Sequence, residues 1–273
     1  MGETVGIKEH SKISVIVPAR NESATIAQVV REARKIADNT EVIVVCNGTT
    51  DQTADRAREA GAKVVMVGQP LGYDVGRAIG AACAQGEILL FIDGDFVIPA
   101  NILRQYTTLI KQGNDLVLNA YSGLQKGTRI HSTSVAKRFL NRAMGCPELK
   151  GSSMTTVPHA MNRKALQAIG IQNLAVPPKA QVQAILSGLK IERGVEVNTA
   201  LVNQKRKGRK ESVADLVVGD HLEALAYAID HLGIRADLTD HSRRRELLHL
   251  ENKNHLRRQY RYEEKAPWSV GGD

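Results

Sequence analysis

The segment that decides the fold reads Glu87-Ile88-Leu89-Leu90-Phe91-Ile92-Asp93-Gly94-Asp95. Its continuous apolar run is typical of a strand that is buried on both faces of a parallel sheet. Two aspartates flank a glycine directly after this run. The segment therefore predicts a central strand whose carboxyl end carries an acidic turn.

Strands and helices alternate along the chain before this segment. Short β-branched runs at 13–17, 41–45 and 63–67 predict three more strands, the first ending at Pro18, and a helical pattern follows each run. Ser23 is predicted to cap the first of these helices. Such alternation builds right-handed βαβ units, so we predict an α/β fold with a mostly parallel central sheet flanked by helices.

The pattern loosens after Pro99 but continues as one domain with a C-terminal helical extension. Further strands are expected at 116–118 and 191–197, a loop at 123–134, and helices at 100–112, 135–144, 164–169, 180–189 and 213–232, the last interrupted at Gly219. We predict a main domain at 1–240, whose two halves are 1–120 and 121–240, and a basic helical tail at 241–273.

Three polar turns follow predicted strands, at 20–22, 47–51 and 93–95. Parallel sheets of this kind bind ligands beyond the carboxyl ends of their strands, where all three turns would meet. Carboxylates such as those of Asp93 and Asp95 bind Mg²⁺ or Mn²⁺, which neutralises the charge on a departing nucleoside diphosphate. The alternative is a tight turn, in which Asp-Gly is common.

The other two turns also have a structural alternative. Asn47, Thr49 and Asp51 could hydrogen-bond a base and a ribose, or they could cap the helix that follows them. Arg20 and Glu22 could contact a base or a phosphate, or they could only end a strand and begin a helix. The residues by themselves leave both alternatives open.

Two histidines and the charge distribution suggest further contacts. His159 and His221 are candidates for a metal ligand or a phosphate contact, although a lone histidine is more often structural. The chain has a net charge of +8, and eight Arg or Lys stand against four Glu between Arg243 and Lys265. A basic excess favours an anionic partner, and a solvated helix is the alternative.

Composition also bears on location. Three cysteines without a C-x-x-C motif are typical of a reduced, cytoplasmic protein. The longest apolar run, 88–92, is too short to span a bilayer. A peripheral contact with the inner membrane face and a homodimer are open alternatives. Nucleic acid is not predicted as a partner, because the basic tail carries no recognised binding motif.

Three segments together resemble the family 2 glycosyltransferases, which have a GT-A fold. They are Pro18–Glu22, Val45–Thr53 and Phe91–Asp95, in the order and spacing of that family's P-x-x-N-E, V-D-D-G-S-S-D-G-T and D-x-D motifs. Gly72–Gly86 is similar to the family's G-x-G-x-A-x-N-x-G segment. This resemblance covers about the first 120 residues, and it implies that 1–120 is a nucleotide-sugar-binding half and 121–240 an acceptor half. It implies metal-dependent transfer of a sugar from a UDP- or GDP-sugar.

The second half has a weaker resemblance. Met154–Leu166 is similar to the acceptor-side segment of dolichol-phosphate-mannose-synthase-like members and of glucosyl-3-phosphoglycerate-synthase-like members, and Pro147–Leu149 also resembles the latter. The implied acceptor is anionic, either a polyprenyl phosphate or a small phosphorylated acid. The basic segment Lys205–Lys210 is consistent with either.

The resemblance also implies roles for individual residues. Asn47 takes the place of an Asp that usually meets the uracil ring, Asp93 would touch ribose or metal, and Asp95 would bind the metal. His221 is a third candidate ligand. The residues predicted to bind the nucleotide sugar are Pro18, Arg20, Glu22, Asn47, Thr49, Asp51, Asp93 and Gly94.

Two departures from the family pattern affect the chemistry. Cys46-Asn47 replaces an acidic pair, which leaves the base of the donor open. No Asp or Glu lies in Pro177–Gln181, where the base of an inverting transfer is expected. A retaining transfer or an already ionised phosphate acceptor would not need that base. The alternative is a weakly active or inactive nucleotide-sugar-binding protein with the same fold.

Overall fold

The computed structural model describes residues 12–123, 130–199 and 213–243, and the boundary between its two units lies between Ala236 and Asp237. Its strands are β1 (Ile13–Ala19), β2 (Thr40–Asn47), β3 (Lys63–Val67), β4 (Ile88–Phe91), β5 (Leu116–Leu118), β6 (His159–Asn162) and β7 (Ile191–Arg193). Its α-helices are α1 (Ile26–Arg34), α2 (Thr53–Glu59), α3 (Val75–Cys83), α4 (Ala100–Lys111), α5 (Ser132–Ala143), α6 (Arg163–Ile169), α7 (Pro177–Leu186) and α8 (Val213–Leu232).

The strands form one sheet in the order β3-β2-β1-β4-β6-β5-β7. Strands β1, β2, β3 and β4 are parallel, and β5 is parallel to β7. Only β6 among the described strands is antiparallel to its neighbours, β4 and β5. The predicted α/β class with a mostly parallel sheet is confirmed.

Alternate side chains of the strands feed two apolar layers. In β1, Val15 and Val17 pack with α1, α2 and α4 on one face, whereas Ile16 packs with α3, α6 and α7 on the other. Both faces of the central strands are therefore covered, which explains why their sequences are continuously apolar. A third apolar cluster joins α5, α7 and α8 through small residues such as Ala224 and Ala228.

Three local predictions were wrong. Pro18 does not end β1 but pairs with Val45, because β4 leaves β1 after Ile16 and a proline nitrogen is tolerated there. Ser23 does not cap α1, whose N-cap residue is Thr25. Helix α8 runs through Gly219 without interruption, because packing against α5 and α7 outweighs the low helix propensity of one glycine.

The strand β6 was not predicted at all. Its sequence, His159-Ala160-Met161-Asn162, has neither a β-branched run nor an apolar one. It is a strand because β4 and β5 offer it hydrogen-bonding partners on both sides. Helix α5 likewise begins at Ser132, inside the predicted loop, where His131 accepts a hydrogen bond as the N-cap residue.

Some predictions fall on other parts of the chain. The basic segment Lys205–Lys210 and the tail beyond Arg243 lie outside the described residues. The division after residue 240 and the roles of the two halves stay predictions. No helix in the described part of the chain is long and apolar enough to cross a membrane.

Candidate active site

Hydrogen bonds join the first two polar turns at the carboxyl edge of the sheet. The backbone N–H of Glu22 donates to Thr53 Oγ1 at 2.7 Å, and that of Ser23 donates to Asp51 Oδ2 at 3.2 Å. The Thr50 N–H also donates to Asn21 Oδ1 at 2.9 Å. The turn after β1 is therefore fastened to the turn after β2.

Asp51 is the residue that holds this junction together. Its Oδ1 also accepts from the N–H and the hydroxyl of Thr53, at 3.0 and 2.5 Å. Burial alone would raise the pKa of Asp51, but hydrogen bonds from Thr53 and Ser23 outweigh it and lower the pKa to about 2. This geometry favours the capping alternative for Asp51, and its predicted ribose contact stays a prediction.

The acidic turn after β4 is docked on the same junction. Thr25 donates its hydroxyl to the carbonyl of Gly94 at 2.7 Å. A Cβ on Gly94 would lie 3.2 Å from Ala19 Cβ and 3.3 Å from the Pro18 carbonyl oxygen. Glycine is therefore favoured between the two aspartates, because a side chain there would crowd the end of β1. All three polar turns meet at one edge, as predicted.

Asn47 uses both ends of its amide within the protein. Its Nδ2 donates to the Gly72 carbonyl at 2.8 Å, and its Oδ1 accepts from the Leu71 N–H at 2.7 Å. The side chain is buried and fixes the loop that leads into α3. Its predicted contact with a base stays a prediction, since an amide has a second donor and a second lone pair.

The remaining predicted residues of this edge differ in exposure. Arg20 is exposed, so its guanidinium is accessible to a ligand. Pro18 is half-buried and lies against α3, where a Cβ on Gly76 would be 3.1 Å from its ring. Thr49 donates its hydroxyl to the Ala19 carbonyl at 3.3 Å. These contacts give Pro18 and Thr49 structural roles beside their predicted ones.

A buried arginine, which the sequence analysis missed, faces Asp93. Arg77 on α3 lies 3.4 Å from Asp93 Oδ1 and 2.9 Å from Asp74 Oδ1, and it donates to the Met154 carbonyl at 3.1 Å. Burial alone would lower the pKa of Arg77, but the two carboxylates outweigh it and raise the pKa. Arg77 therefore stays charged and holds Asp93 against the interior.

Asp74 occupies the position of the second glycine in the family's G-x-G-x-A-x-N-x-G pattern. It adopts a left-handed backbone conformation with φ of +63°. That conformation favours glycine, although Asp tolerates it better than most residues do. An acid at a glycine position, three residues before an arginine, was the available signal for this ion pair.

The donor set at the acidic turn fits a hard divalent cation. Asp93 and Asp95 supply two carboxylates, and 35% of the Asp93 side chain is exposed. Mg²⁺ and related cations are commonly held by one or two carboxylates together with waters and substrate phosphates. Within 12–123, 130–199 and 213–243, no group of three or more His, Cys, Asp or Glu residues is placed to hold a metal. Asp93 and Asp95 therefore suit a cation shared with a diphosphate.

His221 lies on α8 and is buried. Its Nδ1 is 2.6 Å from the Val217 carbonyl, so this nitrogen carries the proton. Burial lowers the pKa of His221 to about 4, which keeps the ring neutral. Its role as a metal ligand stays a prediction, because the described residues do not assemble it with Asp93 and Asp95.

His159, the other histidine candidate, is a core residue. It stacks on Phe91 with ring centroids 4.8 Å apart, and its Nδ1 is 3.3 Å from the Thr156 carbonyl. Burial, helped by the charge of Arg77, lowers the pKa of His159 to about 3. A neutral, stacked ring supports the structural alternative for this residue.

Gln181 lies in the segment where an acceptor-side acid was expected. It is fully buried on α7. Its amide accepts from the Met154 N–H at 3.0 Å and donates to Asn141 Oδ1 at 2.7 Å. The amide therefore joins α5, α7 and the segment before β6, and it has no acid–base function.

Two further ionisable groups near this edge were also missed. Lys137 on α5 donates to Thr156 Oγ1 at 2.6 Å. Asp220 on α8 has a pKa raised to about 6 by burial and by the charges of Asp74 and Glu223. Neither has a motif, and only tertiary packing, with α8 against α5 and α7, brings Lys137 to Thr156 and Asp220 near Asp74.

Residues 14–170 match the family model described as "Glycosyl transferase family 2". This match covers more than half of the chain. The chain belongs to glycosyl transferase family 2. The predicted family is therefore confirmed, and the motifs that indicated it all lie inside the matched range.

Two curated relatives illustrate the similarity. Glucosyl-3-phosphoglycerate synthase of Mycobacterium tuberculosis is 37% identical in an alignment of 108 residues that covers 36% of this chain and 33% of that protein. A dolichyl-phosphate hexose transferase of Haloferax volcanii is 28% identical over 131 residues, 48% of this chain and 54% of that protein. The chain thus matches about a third to a half of the length of these relatives.

A solved structure extends the similarity to most of the fold. Glucosyl-3-phosphoglycerate synthase from Mycobacterium tuberculosis, in complex with Mn²⁺, UDP and phosphoglyceric acid, superposes with a TM-score of 0.59 and 22% identity. The superposition covers 85% of this chain and 81% of the other. The predicted GT-A fold is confirmed.

Proposed function

We propose that this protein transfers a sugar from a nucleotide diphosphate sugar to a phosphorylated acceptor, with Mg²⁺ or Mn²⁺ as cofactor. The observation that carries the proposal is the position of Asp93 and Asp95 at the carboxyl end of the central strand β4. Ligands of such sheets bind at this edge. The contact between Thr25 and Gly94 fixes the acidic turn against the other two polar turns.

The relatives support a UDP-sugar as the donor to test first. The similar synthase was crystallised with UDP, Mn²⁺ and phosphoglyceric acid, and the other relative is named for a dolichyl phosphate. Both names include a phosphorylated compound, which supports an anionic acceptor. We place a small phosphorylated acid ahead of a polyprenyl phosphate, because that synthase superposes on most of this chain.

Each polar turn has a role in this proposal. Asp93 and Asp95 would hold the cation, which neutralises negative charge on the diphosphate as it leaves. Arg20 is exposed at the same edge and would contact the base or a phosphate. Asn47 would face the base through the part of its amide that the Gly72 loop does not use.

A phosphorylated acceptor is also compatible with the absence of an acid near Gln181. A phosphate oxygen is already ionised near neutral pH and does not need a carboxylate to remove its proton. A retaining transfer to a hydroxyl would not need that carboxylate either. The buried amide of Gln181 therefore does not exclude transfer.

Release of UDP from UDP-glucose tests the proposal directly. We expect release that needs Mn²⁺, rises when 3-phosphoglycerate is added and stops with EDTA. GDP-glucose serves as the matched donor control, and glycerate, which lacks the phosphate, serves as the acceptor control. The proposed activity would be rejected by an absence of metal-dependent release from both donors with every phosphorylated acceptor tested.

A second candidate is a weakly active or inactive protein that only binds nucleotide sugars. It is favoured by one observation: Pro177–Gln181 contains no Asp or Glu, and the amide of Gln181 is hydrogen-bonded within the core. Metal-dependent binding of UDP-glucose without any release of UDP would support this candidate. Cytoplasmic location, peripheral membrane contact and a homodimer stay predictions.

A further inference from the structure

Lys137 is partly buried, and no counter-ion for its ammonium group lies among the described residues. Its ammonium group donates a hydrogen bond to Thr156 Oγ1 at 2.6 Å. Among the described residues, no carboxylate lies within ion-pair distance of Lys137. Burial, helped by the charge of Arg77, lowers the pKa of Lys137 to about 8. Lys137 therefore remains largely charged at neutral pH in a place that disfavours charge.

Contacts within the sheet and from Arg77 place the segment before β6 near the acidic turn. Phe91 pairs with His159 in the antiparallel ladder between β4 and β6. The segment that leads into β6 lies near Asp93, because Arg77 contacts both Asp93 and the Met154 carbonyl. The charge of Arg77 also acts on Lys137, whose partner Thr156 lies two residues after Met154. Two cations on different helices therefore contact one short segment near Asp93.

These two cations differ in how they are paired. Arg77 is neutralised by Asp74 and Asp93, which lie 2.9 and 3.4 Å away. The ring of His221, on the helix that packs against α5, senses the charge of Lys137 but is neutral and offers no compensation. Retaining an unpaired ammonium costs stability, and an anionic ligand would offset that cost.

We propose that Lys137 and Thr156 form a binding subsite for a phosphate group beside the Arg77–Asp93 pair. An ammonium has three donor hydrogens, of which Thr156 takes one. Because Thr156 accepts from Lys137, its own hydroxyl hydrogen can be donated to a phosphate oxygen. The ligand is a phosphate ester or diphosphate, since two adjacent donors and one positive charge match its oxygens.

Within the proposed function, this phosphate belongs either to the nucleotide or to the acceptor. The assignment to one of these two rests on the proposed function, whereas phosphate binding itself does not. Pyrophosphate, UDP with Mn²⁺, and 3-phosphoglycerate are therefore separate probes. Uridine and glycerate are the controls that lack phosphate.

Calorimetric titration of the full chain tests the subsite with three variants of one helix. Lys137→Met should weaken binding of at least one phosphate probe by about tenfold or more, the usual size of a lost charge-assisted contact. Lys137→Arg, which keeps the charge, should stay within about threefold of the wild type. Arg142→Met removes an exposed cation from the same helix and should change nothing. The probe whose binding weakens shows whether the phosphate belongs to the nucleotide or to the acceptor.

Thermal unfolding gives a second readout that separates binding from structure. Lys137→Met should unfold at the same or a higher temperature than wild type, because it removes a partly buried charge that no described carboxylate pairs with. Thr156→Val, which keeps the shape of the side chain, should weaken the same probe. Three results would each overturn the subsite. They are unchanged binding of every probe in both variants, a wild type that binds no phosphate probe, and a lower unfolding temperature for Lys137→Met.

The proposed function can fail separately. If wild type binds UDP without metal dependence, and Lys137→Met loses pyrophosphate binding, the subsite is retained and the proposed metal-dependent donor site is contradicted.

Discussion

The amino edge of the sheet has a charged side chain with many partners within the protein, whereas the carboxyl edge has, beside the well-bonded Asp51, two charged groups with fewer partners. At the amino edge, Glu41 accepts from Ser14 Oγ at 2.5 Å, from the Gln85 N–H at 2.7 Å, and from Lys63 and Lys12 at 2.6 and 3.3 Å. At the carboxyl edge, Asp93 has a 3.4 Å contact with Arg77, and Lys137 has one hydroxyl partner.

This difference distinguishes charged groups that stabilise the fold from charged groups that are available to a ligand. A buried charge whose hydrogen bonds are all made within the protein stabilises one structure and leaves little for a ligand. A charge with fewer partners costs stability unless a ligand completes its shell. The amino edge is therefore assigned to the fold and the carboxyl edge to binding, and substitutions on the two edges should separate these roles.

The largest effect is expected from Asp95→Ala. Wild type should bind UDP at least about tenfold more tightly with Mn²⁺ than without it, and the variant should lose this difference because one of two carboxylates is removed. Calorimetry with and without Mn²⁺ measures it. Asp38→Ala removes an exposed carboxylate before β2, at the amino edge, and should leave it intact. Full metal dependence in Asp95→Ala would show that the assignment is wrong.

A large loss of stability is expected from Arg77→Met. The substitution leaves Asp74 without its partner in a mostly buried position, so we expect the free energy of unfolding to fall by about 3 kcal/mol. Urea unfolding measures it. Adding Asp74→Asn should restore part of the loss, because it removes the uncompensated carboxylate. A double variant no more stable than Arg77→Met alone would contradict this pairing.

A smaller loss is expected from Glu41→Gln, with a characteristic pH dependence. Burial alone would raise the pKa of Glu41, but hydrogen bonds from Lys63, Ser14, Gln85 and Lys12 lower it from 4.5 to about 2. The carboxylate therefore stabilises the fold above pH 4.5, and this stability is lost as the pH falls towards 2.

The expected loss for Glu41→Gln at pH 7 is about 2 kcal/mol in the free energy of unfolding. The difference from wild type should shrink between pH 4.5 and 2, which urea unfolding over that range would measure. Binding of UDP with Mn²⁺ should not change. A loss of that binding would break the separation between the two edges.

The first half of the fold could be predicted because its signals are local. The apolar runs of β1 to β4 fit only strands that are covered on both faces, and the helices between them repeat at helical spacing. The polar turns could be predicted for the same reason, since carboxyl ends of parallel strands meet at one edge. In the second half, α6, α7 and α8 were predicted from the same kind of local signal, but β6 could not be, because it is a strand only through its neighbours.

By itself, the sequence determined the α/β class, the family and the edge at which Asp93 and Asp95 lie. Only the tertiary structure decided that Arg77 pairs with Asp93, that the Gln181 amide is hydrogen-bonded within the core, and that no described residue is a counter-ion of Lys137. The physical reason is the distance along the chain over which each signal acts. Strand and turn signals depend on adjacent residues, whereas the pairing of a charged side chain depends on groups brought together from distant parts of the chain.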